Sequence, residues 1–355
     1  MASSLDVAKP QRKGEELDLK RLLPWLEEAL PKLTATPTIT QFSGGASNWT
    51  YHLQFPNQDL ILRRAPLGKK AKGAHDMVRE YELQKSLKPH YPYVPKMWAV
   101  CADESVLGST FYVMERLEGL ILRKNLPRDI HWNQEQVETL CYSFWDKLIE
   151  LHQVDYQKQG LTQLGKGAGY VERQIHGWNK RYANAVTWNV PSGKKVMRWL
   201  EAHIPKEENL CVIHNDFRLD NVVLSPDNPA DILGVLDWEM AAIGDPLMDL
   251  GNSLAYWVEP TDDFFIKGMR LQPSHLSGML SREQIITYYT QQRGMEVDDF
   301  RFYRVYGLFR LAGIVQQIYY RYAKGYTQNK AFKNFWTLSF YLIKTCENII
   351  RKGTH

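Results

Sequence analysis

The chain has 355 residues, 44% apolar and 24% charged, with a formal net charge of +4. That length allows two lobes with sizeable cores. The charge is too small to point to nucleic acid, and no run approaches the ~20 apolar residues of a membrane span. The cysteines Cys101, Cys141, Cys211 and Cys346 are scattered without Cys-x-x-Cys spacing, which argues against a zinc site or a disulfide framework. Residues 1–17 are polar and lack the apolar core of a signal peptide, so they read as a flexible tail on a cytoplasmic protein. The middle segment, 118–240, is acidic, and the segments on either side are basic.

Residues 18–30 place Leu19, Leu22, Leu23, Leu26 and Leu30 on one broad apolar face, as an amphipathic helix does. Pro24 falls inside it and would shift its start. Two strands follow around a small-residue turn, Ser43-Gly44-Gly45-Ala46-Ser47. The second strand, from Asn48 to Phe55, alternates Trp49, Tyr51, Leu53 and Phe55 with polar residues. A Pro56-Asn57-Gln58-Asp59 turn leads into a third strand, Leu60-Ile61-Leu62-Arg63-Arg64. A glycine turn between paired strands can lie over phosphates, because backbone N–H groups approach without a Cβ in the way; most such turns are only turns. On the third strand Arg63 shares a face with Ile61, and Arg64 shares one with Leu60 and Leu62; the alternative is two exposed arginines at a strand end.

Residues 73–87 read as a helix in which Glu80 lies beside the stripe of Met77, Tyr81, Leu83 and Leu87, while Glu82 points away. Strands are expected at 93–100 and 109–117. Helices are expected at 134–153, 170–182, 302–322 and 331–351. The helix from Tyr170 carries Arg173, Trp178 and Arg181, which either wall a substrate channel or form an ordinary aromatic stripe with solvated arginines. On the helix from Phe302, the residues Tyr303, Tyr306, Arg310, Ile314, Gln317 and Arg321 share one face. Arg310, Gln317 and Arg321 are candidates for holding a phosphorylated or carboxylated acceptor, or are plain surface and salt-bridged residues.

The stretch 211–249 carries the chemistry. An apolar strand end delivers His214-Asn215-Asp216, and Asn221 follows five residues after Asp216. A second apolar run, Ile232 to Leu236, delivers Asp237. One acid can orient a hydroxyl, while an amide and a second acid are the oxygen donors that Mg²⁺ prefers. These are the parts for phosphoryl transfer, in which the protein positions groups and neutralises phosphate charge.

His-x-Asp-x-x-x-x-Asn followed by an Asp after a strand resembles the kinase catalytic and metal loops. The form here, HNDFRLDN with VLDWE and GDPLMDL, resembles the aminoglycoside phosphotransferase and choline kinase superfamily. It is most similar to the branch of kinase-like domains fused to some acyl-CoA dehydrogenases. That branch usually has Gly where this chain has Asn215, the next most tolerant residue for a left-handed backbone. The resemblance covers residues 19 to 325. It implies an α+β, bilobal protein-kinase-like fold. A small antiparallel-sheet N-lobe would occupy 18–117 and a larger, mostly helical C-lobe 118–355.

The resemblance also implies roles. Asp216 would take the proton of the acceptor hydroxyl, and Arg218 would stand where many protein kinases place a γ-phosphate-binding Lys. Asn221 and Asp237 would ligate Mg²⁺. His214, Asp245 and Asp249 would support the catalytic loop. Gly44, Gly45, Ser47 and Asn48 would lie over the nucleotide phosphates. Arg63 would replace the phosphate-pairing Lys with Glu80 as its ion-pair partner. Met114 would line the base pocket, and the backbone of Glu115 to Leu117 would bind the base edge.

The activity implied is an ATP- or GTP- and Mg²⁺-dependent transfer to the hydroxyl of a small molecule, with a hydroxyacyl-CoA or related acyl compound as acceptor. An aminoglycoside or amino-alcohol kinase is one alternative, and a nucleotide-binding regulator with little turnover, motivated by Arg63 and Asn215, is another. A protein kinase is a third; VLDWE in place of Asp-Phe-Gly and the lack of an Ala-Pro-Glu sequence speak against it.

Overall fold

The computed structural model describes residues 8–33, 35–42, 48–66, 76–205 and 210–353. The chain divides into two compact units, residues 1–143 with 219–239, and residues 144–218 with 240–355.

The first unit is built on strands β1 (Thr38–Gln41), β2 (Trp49–Gln54), β3 (Asp59–Arg64), β4 (Met97–Cys101) and β5 (Phe111–Glu115). They form one antiparallel sheet in the order β1-β2-β3-β5-β4. Helix α1 (Leu19–Ala29) is capped by Asp18 and keeps Pro24 inside it, so the proline does not delay the start. Its Leu22 and Leu26 pack with Tyr51, Leu53, Leu60, Leu62, Phe111 and Val113. On the other face of the sheet, Ile61, Tyr112 and Met114 pack with Met77 and Tyr81 of helix α2 (Met77–Leu87). Each such side chain, fully buried, is worth about 1.5–3 kcal/mol. The period-2 alternation of β3 therefore turns Ile61 and Arg63 toward the α2 side and Leu60, Leu62 and Arg64 toward the α1 side. A short helix α3 (Glu104–Leu107) precedes β5.

Helix α4 (Gln134–His152) begins in this unit and ends in the second. The first unit is completed by the hairpin of β7 (Val222–Leu224) and β8 (Ile232–Val235). Leu120 bridges Leu224, with N–H to O distances of 2.9 Å in both directions. Gly119 makes this approach possible, since a Cβ there would lie 2.4 Å from the Leu224 carbonyl oxygen. Val235 N–H donates to Tyr93 O at 2.8 Å, and Trp238 packs edge-on against Tyr91.

The second unit is mostly helical. Its strands β6 (Cys211–Ile213) and β9 (Ala242–Gly244) pair antiparallel. Its helices are α5 (Tyr170–Ala185), α6 (Lys194–Ala202), α7 (Pro246–Leu254), α8 (Phe264–Met269), α9 (Arg282–Arg293), α10 (Arg301–Ala323) and α11 (Phe335–Lys352). Helix α10 packs against α5, α6, α7 and α11. Gly307 and Gly251 set the α10–α7 crossing; a Cβ on Gly307 would lie 2.1 Å from the Gly251 carbonyl oxygen.

Candidate active site

Within the first unit, one cavity is lined by Asn48, Arg63, Met114 to Gly119, Asn221 and Asp237, with Phe42, Ile61 and Leu236 as apolar walls. The sequence-predicted residues Asn48, Arg63, Met114, Glu115, Leu117, Asn221 and Asp237 are thus brought to one place, although they come from segments up to 189 residues apart. Gly44, Gly45 and Ser47 lie outside the described residues.

Arg63 is the hub of this cavity. Its Nη2 donates to Asp237 Oδ1 at 2.5 Å, its Nη1 is 3.5 Å from Glu80 Oε1, and Glu239 Oε2 is 3.7 Å from Nη2. Burial alone would lower the guanidinium pKa. Glu80 and Asp237 more than reverse this and hold it well above its ordinary value, so Arg63 stays cationic. Burial raises the Glu80 carboxyl, and the looser contact with Arg63 offsets only part of the effect. Glu80 stands behind Arg63 and accepts from Tyr112 OH at 2.9 Å. Glu82 is exposed. Arg64, on the opposite face, is buried over Trp49 and donates to Leu107 O at 3.0 Å. Both arginines therefore have buried partners.

Asp237 ends the run from β8 in a left-handed conformation, φ 67°. Asp tolerates that region better than most residues, and backbone of this kind concentrates at functional sites. Leu236 N–H donates to Asn221 O at 2.8 Å and ties the two oxygen donors to one short frame. A carboxylate and an amide oxygen beside a cation suit Mg²⁺, which keeps few protein ligands and fills its shell with water and phosphate oxygens. Among the described residues no group of three or more His, Cys, Asp or Glu could hold a metal by itself. Asn221 and Asp237 would hold Mg²⁺ together with the nucleotide.

Sequence reasoning missed Glu239. The single 3-10 turn Trp238–Met240 folds it back toward Arg63, and its Oε2 also accepts from Asn48 Nδ2 at 3.0 Å. The signal was its place two residues after Asp237 in VLDWE.

The second unit holds the other predicted residues. Asp249, fully buried on α7, accepts from His214 N–H with Oδ2 and from Asn215 N–H with Oδ1, both at 2.7 Å. Its Oδ2 also lies 3.1 Å from His152 Nε2, while His152 Nδ1 meets Tyr289 OH at 2.6 Å. A neutral imidazole satisfies both contacts, donating to the carboxylate and accepting from the phenol. Burial pulls His152 below its ordinary value, and Asp249 opposes this only in part. Burial would raise Asp249, but the hydrogen bonds from His152 and His214 N–H hold it low.

Asn215 has φ 66°, the left-handed conformation in which Gly is the easy residue. Its side chain compensates. Nδ2 donates to Met240 O at 3.0 Å, and Oδ1 accepts from Tyr170 OH and Asn252 Nδ2, both at 3.1 Å. Asp216 N–H donates to His214 Nδ1 at 3.2 Å, and Phe217 is buried against Phe144 and His214. The Asp216 side chain is 20% exposed, and Arg218 Nε is 3.4 Å from its Oδ1. Arg218 also lies over Tyr256, 4.6 Å from the ring centroid. Asp245 is the N-cap of α7 and accepts from Met248 N–H at 2.8 Å.

Of the α10 candidates, Arg310 is buried over Trp178. Gln317 turns back to Gly313 O on its own helix at 3.4 Å, and Arg321 is exposed, about 16 Å further along the helix axis than Arg310. The structure does not bring these two to the Arg310 cluster. Arg181, from α5, is there instead.

A profile of the phosphotransferase enzyme family matches residues 38–279. The chain belongs to that family. Acyl-CoA dehydrogenase family member 11 of Homo sapiens is 35% identical over 333 residues, covering 91% of this chain and 41% of that protein. The chain spans 30% to 41% of the length of the acyl-CoA dehydrogenase family members 10 and 11 that it matches. A crystal structure from Ralstonia eutropha JMP134, provisionally assigned as an aminoglycoside phosphotransferase, is 29% identical with a TM-score of 0.77 over 94% of this chain and 99% of that one. Choline kinase from Cryptosporidium parvum Iowa II shares the fold, with a TM-score of 0.63 at 14% identity over 95% and 97% of the two chains. The resemblance read from HNDFRLDN and VLDWE is borne out, and so is the α+β, protein-kinase-like fold class. Among the described residues no helix is long and apolar enough to cross a membrane.

Proposed function

We propose that this chain is an ATP- or GTP-dependent small-molecule kinase that moves the γ-phosphoryl group to a hydroxyl, with a hydroxyacyl-CoA or related acyl compound as acceptor. The observation that carries the reading is the cavity lined by Arg63, Asn221, Asp237 and residues 114–119. That set supplies a phosphate cation, two oxygen ligands for Mg²⁺, and a strand-end backbone for a base edge. Asn221 and Asp237 would hold Mg²⁺, which would supply neutralisation of phosphate charge. Arg63 would leave Asp237 for the phosphates, with Glu80 and Glu239 keeping it in place. Asp216 would orient the acceptor hydroxyl and take its proton as the new P–O bond forms and the nucleoside diphosphate leaves. Arg218 would steady the transferring group. Asp249, His214 and Asn215 fix the loop, so orientation would cost little at the moment of transfer.

The acyl acceptor is favoured by the similarity to acyl-CoA dehydrogenase family members. The test is Asp216→Ala assayed with γ-labelled ATP and a panel of hydroxyacyl-CoA esters. Turnover should drop about 10²- to 10⁴-fold while nucleotide-induced stabilisation persists. Full turnover in the variant would remove Asp216 from the chemistry.

A further inference from the structure

Arg310 is only 4% exposed, yet among the described residues it makes no ion pair and no hydrogen bond. Its guanidinium rests on the indole of Trp178, 5.5 Å from the ring centroid, and Arg181 rests on the same indole at 4.4 Å. Two cations share one aromatic ring, and no carboxylate lies within 4.0 Å of either among the described residues. A guanidinium offers five N–H donors in a fixed planar fork. Arg310 stays charged: burial would lower its pKa, but Tyr256, Tyr306, Asp216 and Tyr170 together raise it. Arg181 is lowered by burial, and Arg310 adds to that lowering, as two like charges without a common counter-ion should.

Asp216 acts on Arg310 electrostatically but is itself 3.4 Å from Arg218, which lies over Tyr256. Tyr306 and Tyr170 are buried phenols, joined to the catalytic loop through Asn252 and Asn215. Arg310 and Arg218 thus both act on one loop acid, Asp216, within the same unit.

We propose that Arg310, with Arg181 across Trp178, is an oxyanion subsite that reads a carboxylate or phosphate on the acceptor and so selects anionic hydroxy compounds over polycationic ones. The proposal rests on the kinase reading for its placement at the acceptor. A planar guanidinium binds either oxyanion through two parallel N–H bonds, and the indole holds its plane fixed. An amino-alcohol or aminoglycoside would meet like charge here, at a cost.

The experiment is direct binding by calorimetry, which needs no turnover. The probes are 3-hydroxybutyrate, its neutral amide, 3-hydroxybutyryl-CoA, inorganic phosphate and sulfate, each titrated into wild type, Arg310→Gln, Arg310→Lys and Arg181→Gln. ATP-induced thermal stabilisation is measured on every variant as the control for folding. Wild type should bind the oxyanion probes and not the amide. Arg310→Gln should weaken that binding about 10- to 100-fold, as loss of a charge-assisted bond does, with Lys restoring part of it. If Arg310→Gln does not fold, Arg181→Gln, at an exposed position, carries the same test with a smaller loss in the same direction. Preference for the hydroxy acid assigns the subsite to a carboxylate, and preference for the CoA ester or inorganic phosphate assigns it to a phosphate.

Equal binding of the amide and the acid would overturn the proposal. So would unchanged affinity in folded variants, or no oxyanion binding at all in wild type. If oxyanions bind but ATP does not stabilise the protein, the kinase reading fails and the oxyanion site stands.

Discussion

The two charged clusters of this protein are opposite in composition. In the first unit one cation, Arg63, is approached by three acids, Asp237 at 2.5 Å, Glu80 at 3.5 Å and Glu239 at 3.7 Å. In the second unit two cations, Arg310 and Arg181, share the indole of Trp178, and the acid acting on Arg310 is Asp216, which already has Arg218. The first cluster gathers carboxylates around Arg63, and Arg79 also acts on Glu80. The second has an excess of guanidinium that an anion would relieve. The two compositions suit the two ligands proposed above, Mg²⁺ with phosphates at one and an anionic acceptor at the other.

The comparison depends on Asp216 being held where the second cluster can use it. Asp249 does the holding, through two backbone N–H groups and His152. Asp249→Asn strands a buried N–H donor and breaks the pairing with His152. It should destabilise the protein by about 2–3 kcal/mol in denaturant titrations. A loss under about 1 kcal/mol would mean that the loop is held by something else.

A smaller effect appears with pH. His152 is held below its ordinary 6.5 and Asp249 below its ordinary 3.8. For a lowered folded pKa, the unfolded chain binds more protons across the interval, so stability is present above the unfolded value and falls with pH below it. The melting temperature should therefore decline as pH drops from 6.5, first through His152 and at lower pH through Asp249. One such proton accounts for at most about 1.4 kcal/mol per pH unit. His275, also lowered by burial, contributes in the same direction. His152→Gln should flatten the upper part of the decline and leave the His275 part. An unchanged slope would remove His152 as its source.

Much of this was legible in the sequence because it depends on short periods. Alternation on β3 placed Arg63 with Ile61 and opposite Leu62, and the helical wheel placed Glu80 inward and Glu82 outward. The intervals between Asp216, Asn221 and Asp237 fixed the candidate chemistry before any contact was known. Asn215 was legible as a tolerated substitute for Gly, but its three side-chain bonds depend on Tyr170, Met240 and Asn252, which no local pattern links. The α10 face was read as a row from Tyr303 to Arg321. Only tertiary packing singles out Arg310, by bringing Trp178 and Arg181 from α5 against that part of the helix. Glu239 escaped notice because its direction depends on one 3-10 turn.

The most direct test of the central claim is thermal stabilisation by ATP with and without Mg²⁺, in wild type and Asp237→Ala. A specific site filled to a hundred times its Kd gains about 2.7 kcal/mol. Wild type should gain melting temperature with ATP, and more with Mg²⁺ present. Asp237→Ala should lose the Mg²⁺-dependent part. No shift in wild type with millimolar ATP or GTP, or an undiminished Mg²⁺ effect in the variant, would contradict the account of the Arg63 cavity as a metal–nucleotide site.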